Sequence, residues 1–240
     1  MVVKLLATDI DGTLTKDRSS VVLPLEVIRY MRLLESRGIL VVLVSANALP
    51  IVVGLKKYLG LKGPVIAESG ALVYFRGSEI VSLTKLSARK ALEDVLNNLG
   101  RYVENSWQNT FRLHDFALKI RKEWRSRAEE AYRAVKEYVE SRYGWVKVSY
   151  SGYAIHLTPS DVDKGKALLY VMDRLGISRD EVVAIGDSSM DVDLIRVAGI
   201  GVAVNNADED LKRVADIVTS KPSYEGFIEF ADKILNGLLK

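Results

Sequence analysis

Three aliphatic runs constrain this chain more than anything else in it: Val2–Thr8, Ile39–Val44 and Val182–Ile185. Each is nearly continuous in Val, Ile and Leu, without the alternation of a sheet that has one wet face. Strands buried on both faces read this way, and they belong to a parallel sheet covered by helices on both sides. Helical patterns fall between the runs. Pro24 stands at a first helical position and Gly38 just past an end, with Leu25, Val27, Ile28, Tyr30 and Leu34 supplying the apolar stripes. Ala48–Leu59 stops at Gly60, and Lys164–Leu175 stops at Gly176. Gly201–Val204 and Ile217–Val218 add short edge or neighbouring strands. Alternation of strand and helix predicts an α/β fold with right-handed crossovers.

From about Leu83 to His156 that rhythm stops. Ser87 is placed to cap a helix carrying Ala91, Leu92, Val95, Leu96 and Leu99, with Gly100 as its stop. Phe111–Arg121 is strand-like, and Trp124–Tyr143 is a long amphipathic pattern with Ala128, Tyr132, Val135 and Val139 on one stripe. Trp145–Tyr150 and Tyr153–Leu157 flank Ser151-Gly152, a hairpin signal. This αββαββ order suits a small open sheet with helices on one face. The βα pattern resumes at Asp163. The expected organisation is a Rossmann-like three-layer core with a parallel sheet, residues 1–82 and 157–240, split by a small inserted α+β domain, residues 83–156.

Composition narrows the chemistry. The 240 residues contain no cysteine, which excludes disulfides, zinc-thiolate sites and cysteine nucleophiles, and fits a reducing cytoplasm or a hot one, where cysteine is thermolabile. His114 and His156 are the only histidines, too few for a His-rich metal site. A net charge of +3 without a basic tail argues against a nucleic-acid binder. The longest aliphatic run is too short to span a membrane, and Lys4 and Asp9 interrupt the N-terminal run, which reads as a strand and not a signal peptide.

Four short segments carry candidate chemistry. Asp9-Ile10-Asp11-Gly12-Thr13 follows the first buried strand, at the sheet edge where α/β proteins bind ligands. Two carboxylates that close require a cation or a raised pKa. Ser45 follows the second run and begins Ser45-Ala46-Asn47 before a helix, where a hydroxyl and free N–H groups suit a phosphate oxygen. Lys164 opens a helix in Asp163-Lys164-Gly165-Lys166, placed to neutralise phosphate and carboxylate together. Gly186-Asp187-Ser188-Ser189-Met190-Asp191 sets two more carboxylates past the third run. Taken singly, these are strand caps, an N-cap and a solvated lysine; together, each beside a buried strand or helix start, they form a set.

In order, the four segments resemble the four motifs of the haloacid dehalogenase superfamily of phosphatases. The insert's position resembles that superfamily's type-two capped, Cof-like branch, as do Ala67-Glu68-Ser69-Gly70-Ala71 and Val204-Asn205-Asn206-Ala207. Within it, the short cap and Val44–Pro50 are most similar to the archaeal phosphoglycolate phosphatases. The resemblance implies Asp9 as nucleophile, forming an aspartyl-phosphate, and Asp11 as general acid and then base. It implies Ser45, Lys164 and Asn206 around the phosphoryl group. It implies Mg²⁺ as cofactor, held by Asp9, the Asp11 backbone carbonyl, Asp187 and Asp191. This chain departs from the branch in having Met190 before the last Asp, Ser69 for an Asn, and Ala46 for a Gly.

The implied activity is Mg-dependent phosphomonoester hydrolysis of a small phosphorylated metabolite, 2-phosphoglycolate first, with a sugar-phosphate or broad-specificity phosphatase as the alternative. A phospho-accepting signalling module is the remote one. Receivers place the phosphoacceptor after a later strand and have no inserted domain. Lys119 and Arg121, two apart on a strand, share a face and are the cap candidates for a substrate carboxylate, against a solvated strand face. Arg112, His114, Tyr153 and His156 are further polar groups of the insert, the two histidines read as structural. Trp107, Trp124 and Trp145 read as insert core or interface, and an exposed aromatic face there would pair two copies into a homodimer.

Overall fold

The computed structural model describes residues 2–77 and 79–238. In chain order its elements begin β1 (Leu5–Asp9), α1 (Leu25–Ser36), β2 (Leu40–Val44), α2 (Leu49–Leu59), β3 (Val65–Ala67), β4 (Leu72–Tyr74) and β5 (Ile80–Ser82). The middle of the chain gives α3 (Arg89–Leu99), β6 (Val103–Asn105), β7 (Phe116–Ile120), α4 (Ala128–Glu140), β8 (Val146–Tyr150) and β9 (Ala154–Pro159). The chain then returns through α5 (Lys164–Leu175), β10 (Val182–Gly186), α6 (Val192–Val197), β11 (Ile200–Ala203), α7 (Glu209–Val214), β12 (Ile217–Val218) and α8 (Ser223–Leu235).

Among the described residues, eight strands make one sheet in the order β12-β11-β10-β1-β2-β3-β4-β5. The six from β12 to β3 are parallel, and β1, the first aliphatic run, is buried along its whole length at the centre. Helices pack around it through Val27, Met31, Leu34, Val52, Leu168, Val171, Phe227 and Phe230, all in one apolar core. The β4–β5 pair is antiparallel and closes one edge. Strands of three residues leave no run long enough to read from pattern. Among the described residues no helix is long and apolar enough to cross a membrane.

The other four strands form an antiparallel sheet, β6-β7-β9-β8, with its own core built on Phe116, Leu118, Ile155, Leu157, Val95 and Val135. Three local expectations differ from what is found. Ser87 touches the start of α3 only weakly: Ala88 precedes the helix, and Ser87 Oγ accepts from Arg89 N at 3.5 Å while donating to the Leu113 carbonyl at 2.8 Å. The strand-like run from Phe111 starts only at Phe116, because the Leu113, His114 and Asp115 N–H groups all donate to the Glu68 carboxylate instead of to a ladder. The run from Trp124 opens as a 3₁₀ turn, Lys122–Arg127, before α4 begins at Ala128. The antiparallel sheet also runs past the expected boundary at 156/157, since β9 continues to Pro159 and pairs there with Val146.

Candidate active site

Asp9 is the last residue of β1, Ser45 follows β2 and Asp187 follows β10. β1 lies between the other two, and the connections leave it in opposite directions, so a crevice opens at this edge. Gly12, just beyond Asp11, has φ +93°, and a Cβ there would lie 2.4 Å from Asp187 Oδ2; only glycine lets the first segment turn this close to the fourth. Gly70 does the same for Lys164. At φ +101°, its added Cβ would fall 2.2 Å from the Asp163 carbonyl oxygen, at the start of α5. The Asp163 side chain caps that helix, accepting from Lys166 N at 2.7 Å.

Lys164 is buried, and its Nζ donates to Asp9 Oδ1 and to Asp191 Oδ1, both at 2.6 Å. Asp9, Asp187 and Asp191 each bring a carboxylate oxygen to within 4.8 Å of the others. Asp191 Oδ2 accepts from the Asp187 and Ser188 N–H groups and from Ser188 Oγ. Ser188 thus supplies a side-chain donor beside Met190, whose thioether has none.

Burial drives the titration of these groups. It pushes Asp9 well above the ordinary carboxyl value, with Lys164 opposing and Asp191 and Asp187 adding repulsion. Asp187 is pushed up to about 6 by burial and by Asp191, against Arg18. Asp11 is raised by burial and held back by its hydrogen bond from Asn47. Burial disfavours the charge on Lys164, yet Asp191 and Asp9 together hold its pKa above the usual lysine value. The donor set is oxygen-only, close-set and anionic, which suits a hard divalent cation such as Mg²⁺.

Three further residues at the site were not among the candidates read from the sequence. Arg18 donates through Nε to Asp187 Oδ2 at 2.5 Å, and through Nη2 to the Asp187 carbonyl and Asp208 Oδ1, each at 2.8 Å. Asn47 Nδ2 bridges Asp11 Oδ2 at 2.8 Å and Ser45 Oγ at 3.0 Å. Gln108 reaches across from the insert, donating to Asn47 Oδ1 at 2.7 Å and accepting from Ala48 N at 2.9 Å. Only Asn47, standing inside the Ser45 segment, offered a positional hint.

A cavity of about 560 Å³ lies between the core and the insert, lined by Asp9, Asp11, Asn47, Arg18 and Lys164 on one side and Gln108, Arg112, Lys119 and His156 on the other. Ser45 is buried, with Ala46 and Asn47 beside it in the lining. Asn206 is not brought to the site. It is exposed, accepts from Ser223 N at 2.7 Å and donates to Ser223 Oγ at 3.1 Å, bracing the start of α8. Arg121 is also elsewhere, because β7 ends at Ile120. Its Nε donates to the Gly100 carbonyl, and its side chain is half-exposed near Glu104. Lys119 does line the cavity, so the expected pair is split by the strand's end. His114 is tied to Ser82 and the Leu86 carbonyl, as a structural reading expects, whereas His156 faces the cavity. Trp124 packs edge-on against Tyr102, and Trp145 against Tyr143, while Trp107 is exposed at the cavity rim.

Residues 6–109 and 102–230 match the sequence profile of the haloacid dehalogenase-like hydrolases. The chain belongs to this family. Among relatives of these hydrolases, a phosphoglycolate phosphatase of Staphylothermus marinus is 58% identical over 234 residues, 98% of each chain. One of Metallosphaera sedula, with the same name, is 37% identical over 98% of this chain and 100% of its own. A solved Thermoplasma acidophilum structure superimposes with a TM-score of 0.83 at 27% identity, covering 98% of this chain and 99% of that one. A haloacid dehalogenase-like hydrolase from Bacteroides thetaiotaomicron shares the fold, with a TM-score of 0.78 at 22% identity over 97% and 99% of the two chains.

Proposed function

We propose that this hydrolase is a Mg²⁺-dependent phosphomonoesterase acting on a small phosphorylated metabolite, 2-phosphoglycolate first, to give glycolate and phosphate. The observation that carries the reading is the pair of carboxylates at the end of β1, with Lys164 bridging Asp9 to Asp191. The names of the Staphylothermus marinus and Metallosphaera sedula relatives, both phosphoglycolate phosphatases, suggest the substrate. Asp9, Asp187 and Asp191, with the Asp11 carbonyl, are the groups that would hold the metal. Bound there, Mg²⁺ would offset the repulsion between a carboxylate nucleophile and a phosphate dianion.

In this mechanism an Asp9 oxygen forms a bond to phosphorus as the ester P–O bond breaks. Asp11 gives its proton to the leaving alkoxide, a role that its burial-raised pKa favours. Water then attacks the phosphoryl group and loses a proton to Asp11, which frees Asp9 and phosphate. Lys164 stabilises charge on the transferring oxygens. Ser45 Oγ accepts from Asn47, which leaves the hydroxyl proton for a phosphoryl oxygen.

The cavity, at about 560 Å³, has room for more than a two-carbon acid, and this favours sugar phosphates as the second reading. Phosphate release from a panel of phosphorylated acids and sugars, with and without Mg²⁺, separates the two. Phosphoglycolate leading the panel supports the first reading and hexose or erythrose phosphates leading supports the second. Full turnover by Asp9→Asn would overturn both.

A further inference from the structure

The antiparallel sheet turns one face to the cavity, and that face is not a solvated one. Ala117 and Lys119 of β7 stand opposite His156 and Ala154 of β9, and all four line the cavity. Their chain neighbours Phe116, Leu118, Ile155 and Leu157 point the other way, into the insert's core. The two alanines leave space, and the two long side chains reach into it. Arg112 joins them from the turn before β7, and it too lines the cavity although only 2% exposed.

Behind this face sits Asp115, which is fully buried and ringed by donors. It accepts from Arg112 Nη1 at 2.5 Å, Thr158 Oγ1 at 2.5 Å, Ser69 Oγ at 3.0 Å and His156 Nδ1 at 3.1 Å. Burial alone would raise its carboxyl, but His156 and Arg112 outweigh burial and hold it below the ordinary value. An ionised carboxylate only accepts, so His156 Nδ1 carries a proton; Nε2 is the ring nitrogen left for other partners, and it donates to an acid group when the ring is protonated there as well. Arg112 is incompletely used: Nη2 donates to Gln108 Oε1 at 3.1 Å, while its buried Nε has no partner among the described residues. Buried donors of structural arginines are normally satisfied.

We propose that Arg112, Lys119 and His156 form a carboxylate subsite on the insert, which holds the acid end of a short phosphorylated hydroxy acid while its phosphoryl group lies at Asp9. Asp115 is the positioning residue, fixing Arg112 and His156 from behind. The proposal rests on the phosphatase reading above and adds to it the groups that select an acid. Charge-assisted hydrogen bonds to a carboxylate give selectivity against an otherwise equal ester that lacks the charge.

The test compares 2-phosphoglycolate with ethyl phosphate, the same ester with a methyl group in place of the carboxylate. The wild-type enzyme prefers phosphoglycolate. Lys119→Met and His156→Gln each lower the ratio of the two kcat/KM values by about 10- to 100-fold, mainly through KM on phosphoglycolate, and Lys119→Arg restores most of it. Asp115→Asn shifts the ratio the same way. An equal fall on both esters, an unchanged ratio, or no wild-type preference overturns the subsite. A second arm removes turnover from the question. Calorimetric binding of phosphoglycolate to Asp9→Asn should weaken about 10-fold or more when Lys119→Met is added, and unchanged affinity refutes the subsite. Failure of the phosphatase reading looks different: wild-type enzyme then releases phosphate from neither ester, whatever the binding arm reports.

Discussion

Replacing Lys164 by methionine tests the electrostatic logic of the site. Met keeps much of the length and removes the charge. Both ion pairs of Lys164, to Asp9 and to Asp191, span 2.6 Å between groups that are nearly inaccessible. At an effective dielectric of about 20, each carries about 6 kcal/mol of gross Coulomb attraction, most of which burial of the charges cancels. What remains is the cost of stranding buried carboxylates, about 3–5 kcal/mol. For a chain of this size that lowers Tm by about 6–20 °C. The deficit depends on pH. Lys164 opposes the upward shift of Asp9, so its removal raises Asp9 further above the ordinary value of 3.8. A carboxyl raised in the folded state contributes stability below its unfolded pKa and loses it as pH climbs through the folded pKa. Thermal unfolding of metal-free Lys164→Met should therefore fall furthest behind wild type near about pH 8 and converge on it toward about pH 4. A variant as stable as wild type at the higher pH, or a deficit that does not change with pH, would refute the ion-bridge reasoning.

Other outcomes follow from the same structure. Adding Mg²⁺ to about 100 times its dissociation constant should stabilise the wild-type fold by about 2.7 kcal/mol, seen as a higher Tm, and Asp187→Asn should shrink that gain; an unmoved Tm contradicts the metal site. Asn47→Ala removes the hydrogen bond that holds Asp11 down, so the pH–rate limb belonging to Asp11 should move to higher pH, and a static limb would show that Asp11 is not the titrating acid. Phe116→Ala empties the centre of the insert's core at a cost of about 3–5 kcal/mol. Hydrogen exchange should then quicken in β6–β9 before it does in the parallel sheet.

Why some of this was readable in the sequence and some was not has a physical answer. Asp9 and Asp187 end or follow strands whose unbroken apolar runs mark their own limits, and Lys164 opens a helix that Asp163 caps. Position along one element therefore located them. Arg18 lies in a polar loop, and its partners Asp187 and Asp208 come from the far end of the chain, so no spacing rule connects them. The same holds for Gln108 with Asn47 and for Asp115 with Ser69, which meet only because the insert folds over the core, while Asp115 meets His156 through the pairing of β7 with β9. Lys119 and Arg121 share a face only while the strand lasts, and Arg121 lies beyond β7, bonded to Gly100. Asn206 sits in a segment that resembles one of the Cof-like branch, but its carboxamide is bonded to Ser223 and not to the site.

Whether Asp9 itself takes the phosphoryl group is decided by acid quenching of the enzyme during turnover of 2-phosphoglycolate with Mg²⁺, followed by mass spectrometry of its peptides. One phosphoryl group is expected on the peptide that carries Asp9, and none on the same peptide of the Asp9→Asn protein. Phosphate on another residue, or phosphate released by Asp9→Asn at the wild-type rate, would contradict that role.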